Sequence, residues 1–183
     1  ATIDSPRSGH DTELATIEEA IDEQDFVDRD ALRNLFWDMF VVDALIANND
    51  RHNGNWGLLS NGYESRLAPV FDCGGCLFPD ADENLMRAVL NDPRQRDAYV
   101  FSKPTTAIKL DGAHLSFYEF FQRVDSPHLD DALRRMVPRL DGDALGALVD
   151  ETPYIGEVEK AFYKTILLER KRRLLDDRLA AID

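Results

Sequence analysis

Leu32, Leu35, Phe36, Met39, Phe40 and Ile46 recur at steps of three and four, the period of one helical face. Asp43 lies on the same stripe and is the member that does not fit it. Val41, Val42 and Leu45 make this helix apolar on more than one side, so a central, buried helix is predicted from Arg29 onward. Gly54 and the asparagines around it end it in a loop. Two short runs follow, 56–60 and 63–71, separated by Asn61-Gly62, a pair that tolerates positive φ and predicts a hairpin. Asp72-Cys73-Gly74-Gly75 closes the hairpin in a turn, and beyond it the pattern is mostly helical. Short helices are predicted over 82–90, 116–124, 130–137 and 143–149. Phe117, Phe120 and Phe121 supply core in the second of these, and a long helix is predicted over 157–182. Ahead of the central helix, 16–23 reads as a short acidic helix or a solvated flank. Residues 1–15, with Pro6, Ser8 and Gly9, read as a polar tail or linker. The fold class expected is mainly α with a small β-hairpin (α+β), with 16–183 as one unit.

Composition narrows the partners. A chain of 183 residues suits one domain or one lobe of a larger one, and 44% apolar residues can fill a core. Acidic side chains number 35 against 21 basic ones, for a net charge of −14. That surface repels nucleic acid, whose binding starts from Lys and Arg on phosphates. A Mg²⁺-loaded nucleotide is not excluded, because the metal cancels much of its charge. No apolar run approaches a membrane span, and no secretory signal is visible. The two cysteines, Cys73 and Cys76, suit a reducing cytoplasm. As a redox pair they would want a helix starting at the first Cys, which Gly74-Gly75 makes poorly. As half a zinc site they would want two more ligands, yet His10, His52, His114 and His128 are scattered. A tight turn is expected instead. The basic run from Arg170 to Arg173 is expected to pair with acidic surface including Glu157, Glu159, Asp176 and Asp177, and Trp37 and Trp56 are expected in the core.

The chemistry gathers between Asn48 and Asp72. Asp50 and Asn55 lie five apart on the loop after the central helix, and Asp72 follows Asp50 by 22 positions across the hairpin. A carboxylate on such a loop can orient a hydroxyl and take its proton. An amide oxygen is a hard metal donor that adds no charge, and a second carboxylate can bridge metal and phosphate. Singly, each is the kind of residue turns use. At these spacings around a hairpin, they lay out a phosphotransferase: Asp50 as base, Asn55 and Asp72 as metal and nucleotide ligands.

Asn48-Asn49-Asp50-Arg51-His52-Asn53-Gly54-Asn55 and Leu67-Ala68-Pro69-Val70-Phe71-Asp72 together resemble the carboxy-terminal lobe of the HipA family of bacterial toxin kinases. The Asp-Arg-His-x-x-Asn wording is shared with phosphoinositide kinases. The resemblance implies a serine/threonine kinase using ATP and Mg²⁺, with Asp50 and His52 in the catalytic loop, His52 as the residue that structures it, and Asn55 and Asp72 on the metal. It also implies a protein substrate, of which aminoacyl-tRNA synthetases are examples, a possible antitoxin partner, and an amino-terminal lobe carrying a phosphate-covering loop and a Lys. Neither of those last features is visible: there is no Gly-rich phosphate motif, and the first Lys is Lys103. Cys73 stands where protein kinases carry an aromatic. The chain by itself is therefore expected to be inactive. Two alternatives stay open: a pseudokinase-like binding module, and a lipid kinase, against which the acidic balance weighs. A dithiol redox protein is a third, outside reading.

Overall fold

The computed structural model describes residues 12–182; the expected tail lies outside them as far as residue 11. Thr12 and Glu13 already belong to the fold. Lys109 N donates to Thr12 O at 2.9 Å, and the Glu13 carboxylate accepts from Asp111 N at 2.8 Å and Gly112 N at 2.9 Å. The boundary drawn at residue 15 thus falls inside the first helix, α1 (Leu14–Glu23). Its Ile17 and Ile21, one turn apart, are both buried, so the acidic segment is a packed helix and not a solvated flank.

The next helix, α2 (Arg29–Ile46), is the central element that the stripe predicts, capped by Asp28, which accepts from Ala31 N at 2.7 Å. Phe36, Trp37, Phe40, Val41 and Ala44 are all buried. Arg33 joins it to α1 through Glu18 at 3.0 Å and through Asp22, and Trp37 Nε1 donates to Glu18 at 2.9 Å. The helix ends at Ala47 in the left-handed region, φ 54°.

β1 (Leu58–Ser60) and β2 (Ser65–Leu67) pair antiparallel with Ser60 opposite Ser65. The strands predicted over 56–60 and 63–71 are therefore too long, and the turn is a four-residue loop and not a two-residue one. Asn61 Oδ1 accepts from Tyr63 N at 2.9 Å and Glu64 N at 2.8 Å, while Gly62 takes φ 89°. Downstream, Pro69 lacks an N–H for the ladder, and pairing stops before it.

α3 (Glu83–Asn91) and α4 (Pro93–Asp97) lead into a π-helical turn, Ala98–Ser102. A second hairpin follows, β3 (Thr105–Leu110) with β4 (Ala113–Ser116). Its turn residues Asp111 and Gly112 have φ 52° and 77°, so the stretch left unassigned between two predicted helices contains a hairpin that its Asp-Gly pair announces. Ser116 and Glu119 form a capping box on α5 (Phe117–Arg123). The rings of Phe117, Phe120 and Phe121 pack on Phe40 with centroids 5.4, 4.6 and 5.9 Å away.

α6 (Pro127–Met136) and α7 (Gly142–Glu151) run longer than the predicted 130–137 and 143–149, because their caps, Ser126 and Asp141, lie further upstream. The helix predicted over 157–182 is α8 (Glu157–Arg170), a π-helical stretch over Lys171–Asp176, and α9 (Asp177–Ala180). α2 packs on α6, and α8 packs on α3 and α7. No helix among the described residues is long and apolar enough to cross a membrane. The mainly α fold with a small hairpin is as expected, and the second hairpin adds to it.

Three members of the basic run pair with acids as expected, Lys171 with Asp176 at 2.9 Å, Arg173 with Asp97 at 2.7 Å and Arg172 with Glu169 at 3.3 Å; the fourth needs a correction. Arg170 goes to no acid. Fully buried, it donates to the carbonyls of Ala44 at 2.8 Å, Tyr99 at 2.8 Å, Val100 at 3.0 Å and Lys103 at 2.9 Å, with its guanidinium 5.6 Å from the Phe117 ring centroid. Helix ends leave carbonyls without intrahelical donors, and here two such ends meet on one planar cation. Burial pulls Arg170 down to about 9, which still leaves it protonated at neutral pH.

Arg170→Lys is therefore expected to lower the unfolding free energy by about 1–3 kcal/mol, since one ammonium cannot reach both the three carbonyls gathered on Nη1 and the Ala44 carbonyl on Nε, and a stranded carbonyl costs about that much. Urea unfolding would show it as a lower midpoint. An unchanged midpoint would mean these carbonyls find other donors.

Candidate active site

Asp43, the residue that broke the apolar stripe, is the root of the loop. Arg51 Nε donates to its Oδ2 at 2.9 Å and Nη2 to its Oδ1 at 3.1 Å, and Asn48 Nδ2 adds a bond to Oδ1 at 2.9 Å. The two charged side chains are 4% and 3% exposed. Burial pushes the Asp43 carboxyl up, and the bonds from Arg51 and Asn48 act against it. The remaining nitrogen, Nη1, donates to Asn55 O at 2.7 Å and to Phe71 O at 2.6 Å. One guanidinium thus ties the end of the loop to the chain that enters Asp72.

Asp50 sits exposed on this frame. Its N–H donates to Asn48 Oδ1 at 3.1 Å. Asn55, buried, donates from Nδ2 to Asp50 O at 2.7 Å and towards Asp50 Oδ2 at 3.4 Å, so its amide oxygen is the end left to accept. His52 Nδ1 accepts from Gly54 N at 3.0 Å, while its Nε2 lies 3.8 Å from Asp50 Oδ1. The imidazole holds the Gly54 turn and flanks the carboxylate. Asp72 is exposed with φ 54° and follows the carbonyl that Arg51 holds. The fold therefore brings Asp50, His52 and Asn55 into direct contact and attaches Asp72 through Arg51.

The turn after Asp72 presses on the loop. A Cβ on Gly75 would meet Asn49 Oδ1 at 2.6 Å and Asp50 Cβ at 3.0 Å, so only glycine lets the two backbones approach this closely. Cys73 and Cys76 are free thiols in this turn, Cys76 N donating to Cys73 O at 3.2 Å. Burial, then the neighbouring Cys73, pushes the Cys76 thiol up to about 12. No helix starts at Cys73, and among the described residues no three or more His, Cys, Asp or Glu gather to hold a metal ion by themselves.

Next, Leu77 N donates to Ile46 O at 2.8 Å, and Leu77 and Phe78 both take left-handed φ, 56° and 58°. For bulky residues that is strain, which persists where surroundings over-determine the backbone and which clusters at working sites. Behind them opens a cleft of about 480 Å³, with Asp50, Gly75, Phe78, Asp80, Tyr99 and Pro104 in its wall. Sequence reasoning singled out Asp50, Asn55, His52 and Asp72 but gave no role to Arg51 or Asp80. A carboxylate on an apolar stripe was the available signal for Arg51, since a buried charge demands a partner.

No protein-family model matches the chain. Over 177 residues it is 40% identical to the serine/threonine-protein kinase CtkA of Helicobacter pylori, a match covering 95% of this chain and 54% of that protein. The crystal structure of a Helicobacter pylori proinflammatory kinase CtkA matches with a TM-score of 0.91 at 38% identity, over 99% of this chain and 67% of that one. The chain is a homologue of CtkA. It shares the fold of that kinase and spans about half the length of the curated relative it matches.

Removing either member of the Asp43–Arg51 pair leaves a buried charge alone, which costs roughly 3–5 kcal/mol. Asp43→Leu and Arg51→Met are each expected to destabilise on that scale, and the double variant by clearly less than the two together. A double-mutant cycle by chemical denaturation measures this, and strict additivity would show that the pair does not hold the loop.

Proposed function

We propose that the chain is the carboxy-terminal catalytic lobe of a HipA-like serine/threonine protein kinase, transferring the γ-phosphoryl group of Mg²⁺·ATP to a protein hydroxyl. The observation that carries this is the clasp of Asp50 and Asn55 on a loop whose Arg51 also holds the entry to Asp72, in a chain 40% identical to a serine/threonine kinase.

Each group has a task its surroundings suit. Asp50 is exposed, while the loop beneath it is fixed by buried hydrogen bonds, so it can align an acceptor hydroxyl and receive its proton. His52 and the Asn55 amide nitrogen keep that carboxylate in place. The amide oxygen of Asn55 and the carboxylate of Asp72 are the metal donors. Two hard oxygens suit Mg²⁺, which keeps waters and phosphate oxygens for the rest of its shell and needs no all-protein cage. When bound, Mg²⁺·ATP supplies the electrophilic phosphorus and offsets the charge that an acidic chain would otherwise repel. The phosphate-covering lobe and its Lys are supplied by another portion of polypeptide. The cytoplasmic setting, a toxin–antitoxin context with an antitoxin partner, and acceptors of the aminoacyl-tRNA synthetase kind follow from the HipA resemblance and belong to the same proposal.

The test is transfer from γ-labelled ATP by the polypeptide that carries this chain. Asp50→Asn and Asp72→Asn are each expected to cut kcat by about a hundredfold or more, the scale on which a transition-state electrostatic contact works. Asp72→Asn and Asn55→Ala should also raise the Mg²⁺ concentration required, and Asp50→Asn should not. The 183-residue chain alone is expected to bind Mg²⁺·ATP weakly and to transfer nothing. Transfer indifferent to both Asp substitutions would remove the assignment.

A further inference from the structure

Of the three residues assigned to phosphoryl transfer, Asp50 lines the cleft behind the glycine turn, and Asn55 and Asp72 do not. The group that receives a proton faces this space, and Asp72 borders it, its Oδ1 3.6 Å from where a Cβ on the lining residue Gly74 would stand. We infer that the cleft seats the acceptor polypeptide, and that Asp80 selects acceptors carrying a Lys or Arg near the phosphorylated Ser or Thr. This inference rests on the kinase reading above and deepens it.

Charge separates the acceptor from the nucleotide. The charged side chains in the cleft wall are Asp50 and Asp80, both carboxylates, on a chain of net charge −14. The basic group at the rim is Lys103, whose Nζ lies 5.3 Å from the Tyr99 ring centroid. A polyphosphate entering here would meet two carboxylates, while a cationic peptide would be drawn in and oriented by the same field. Asp80 is exposed, and among the described residues no hydrogen bond or ion pair ties it up, so its carboxylate is available to a basic side chain.

The other wall is apolar and stiff. Phe78 packs on Tyr99 with centroids 4.6 Å apart and ring planes tilted by 57°, and Tyr99 lies 6.0 Å from the buried Phe162. Leu85 and Pro104 complete the surface. The strained Leu77–Phe78 backbone, fixed by the bond to Ile46 O, sets Phe78 in this wall. A volume of about 480 Å³ falls among ordinary ligand sites and suits a few side chains of an extended segment, with the hydroxyl at Asp50 and one apolar neighbour on Phe78.

The experiment uses decapeptides with one central Ser, a Leu next to it, and Arg or Glu scanned through the other positions. They are given with Mg²⁺·ATP to the polypeptide that carries the chain. In parallel, fluorescent Arg and Glu peptides are titrated onto the chain itself. At one position Arg is expected to exceed Glu by about fivefold or more in kcat/KM and in affinity, and Asp80→Lys should reverse that order without moving the KM for ATP. Mg²⁺·ATP should not displace the bound peptide. If transfer proceeds and responds to Asp50→Asn, but the Arg preference is absent or survives Asp80→Lys, the inference falls and the kinase reading stands. If transfer ignores Asp50→Asn, the kinase reading falls. If no transfer is seen, the titration decides: Arg peptide bound equally by wild type and Asp80→Lys, or displaced by Mg²⁺·ATP, overturns the acceptor seat.

Discussion

The buried pair of Asp43 and Arg51 is the constraint on which the candidate site depends. Asp43 and Arg51 occupy buried positions that a matched pair of apolar side chains would fill at less desolvation cost. What the pair provides is registry. A guanidinium has donors in a fixed plane, and once two face Asp43 the others point towards Asn55 O, Phe71 O and Cys73 Sγ. The loop from Asn48 to Asn55 contains almost no regular structure, yet it is indexed to the central helix on one side and to the strand exit on the other.

Above that frame the two sides of Asp50 differ in character. On one stand Asn55 and Asp72, oxygen donors on either side of the Arg51 fork. On the other, the glycine turn lets Phe78, Tyr99 and Pro104 close an apolar wall around a second carboxylate, Asp80. An acidic chain can handle a triphosphate only where a metal accompanies it. Under the proposed kinase reading, the oxygen donors would serve the metal-borne nucleotide and the apolar wall its acceptor.

How much of this the sequence disclosed follows from how local each feature is. The five-residue spacing of Asp50 and Asn55 lies within one loop, so their contact is readable without a fold, and the period of α2 is equally local. Asn61-Gly62 marked its hairpin, but the shortness of the strands depends on Pro69 and on what no neighbouring strand offers Val70 and Phe71. Asp111-Gly112 carried the same kind of mark and passed unread, because the surrounding helical pattern dominated. Asp43 stood out as a misfit, yet its partner required knowing that the chain doubles back at Ala47. Arg170 was misassigned to the surface because acids are its neighbours in sequence, whereas its acceptors lie 67 to 126 residues away. The cleft is assembled from 47–50, 74–85 and 99–104, which no spacing rule joins.

Arg170 also bears on how such a protein is made. Synthesis runs from the amino terminus, and the Ala44 carbonyl is laid down 126 residues before the guanidinium that serves it. At ribosomal speeds that delay is on the order of ten seconds. From residue 72 onward the nascent chain holds Asp50, Asn55 and Asp72, while the last turn of α2, from which their loop departs, still lacks its final donor. A polypeptide halted between residues 72 and 170 would carry Asp50, Asn55 and Asp72 on an unfinished foundation. Translation itself thus imposes an order in which the site can settle only after the last long helix has emerged.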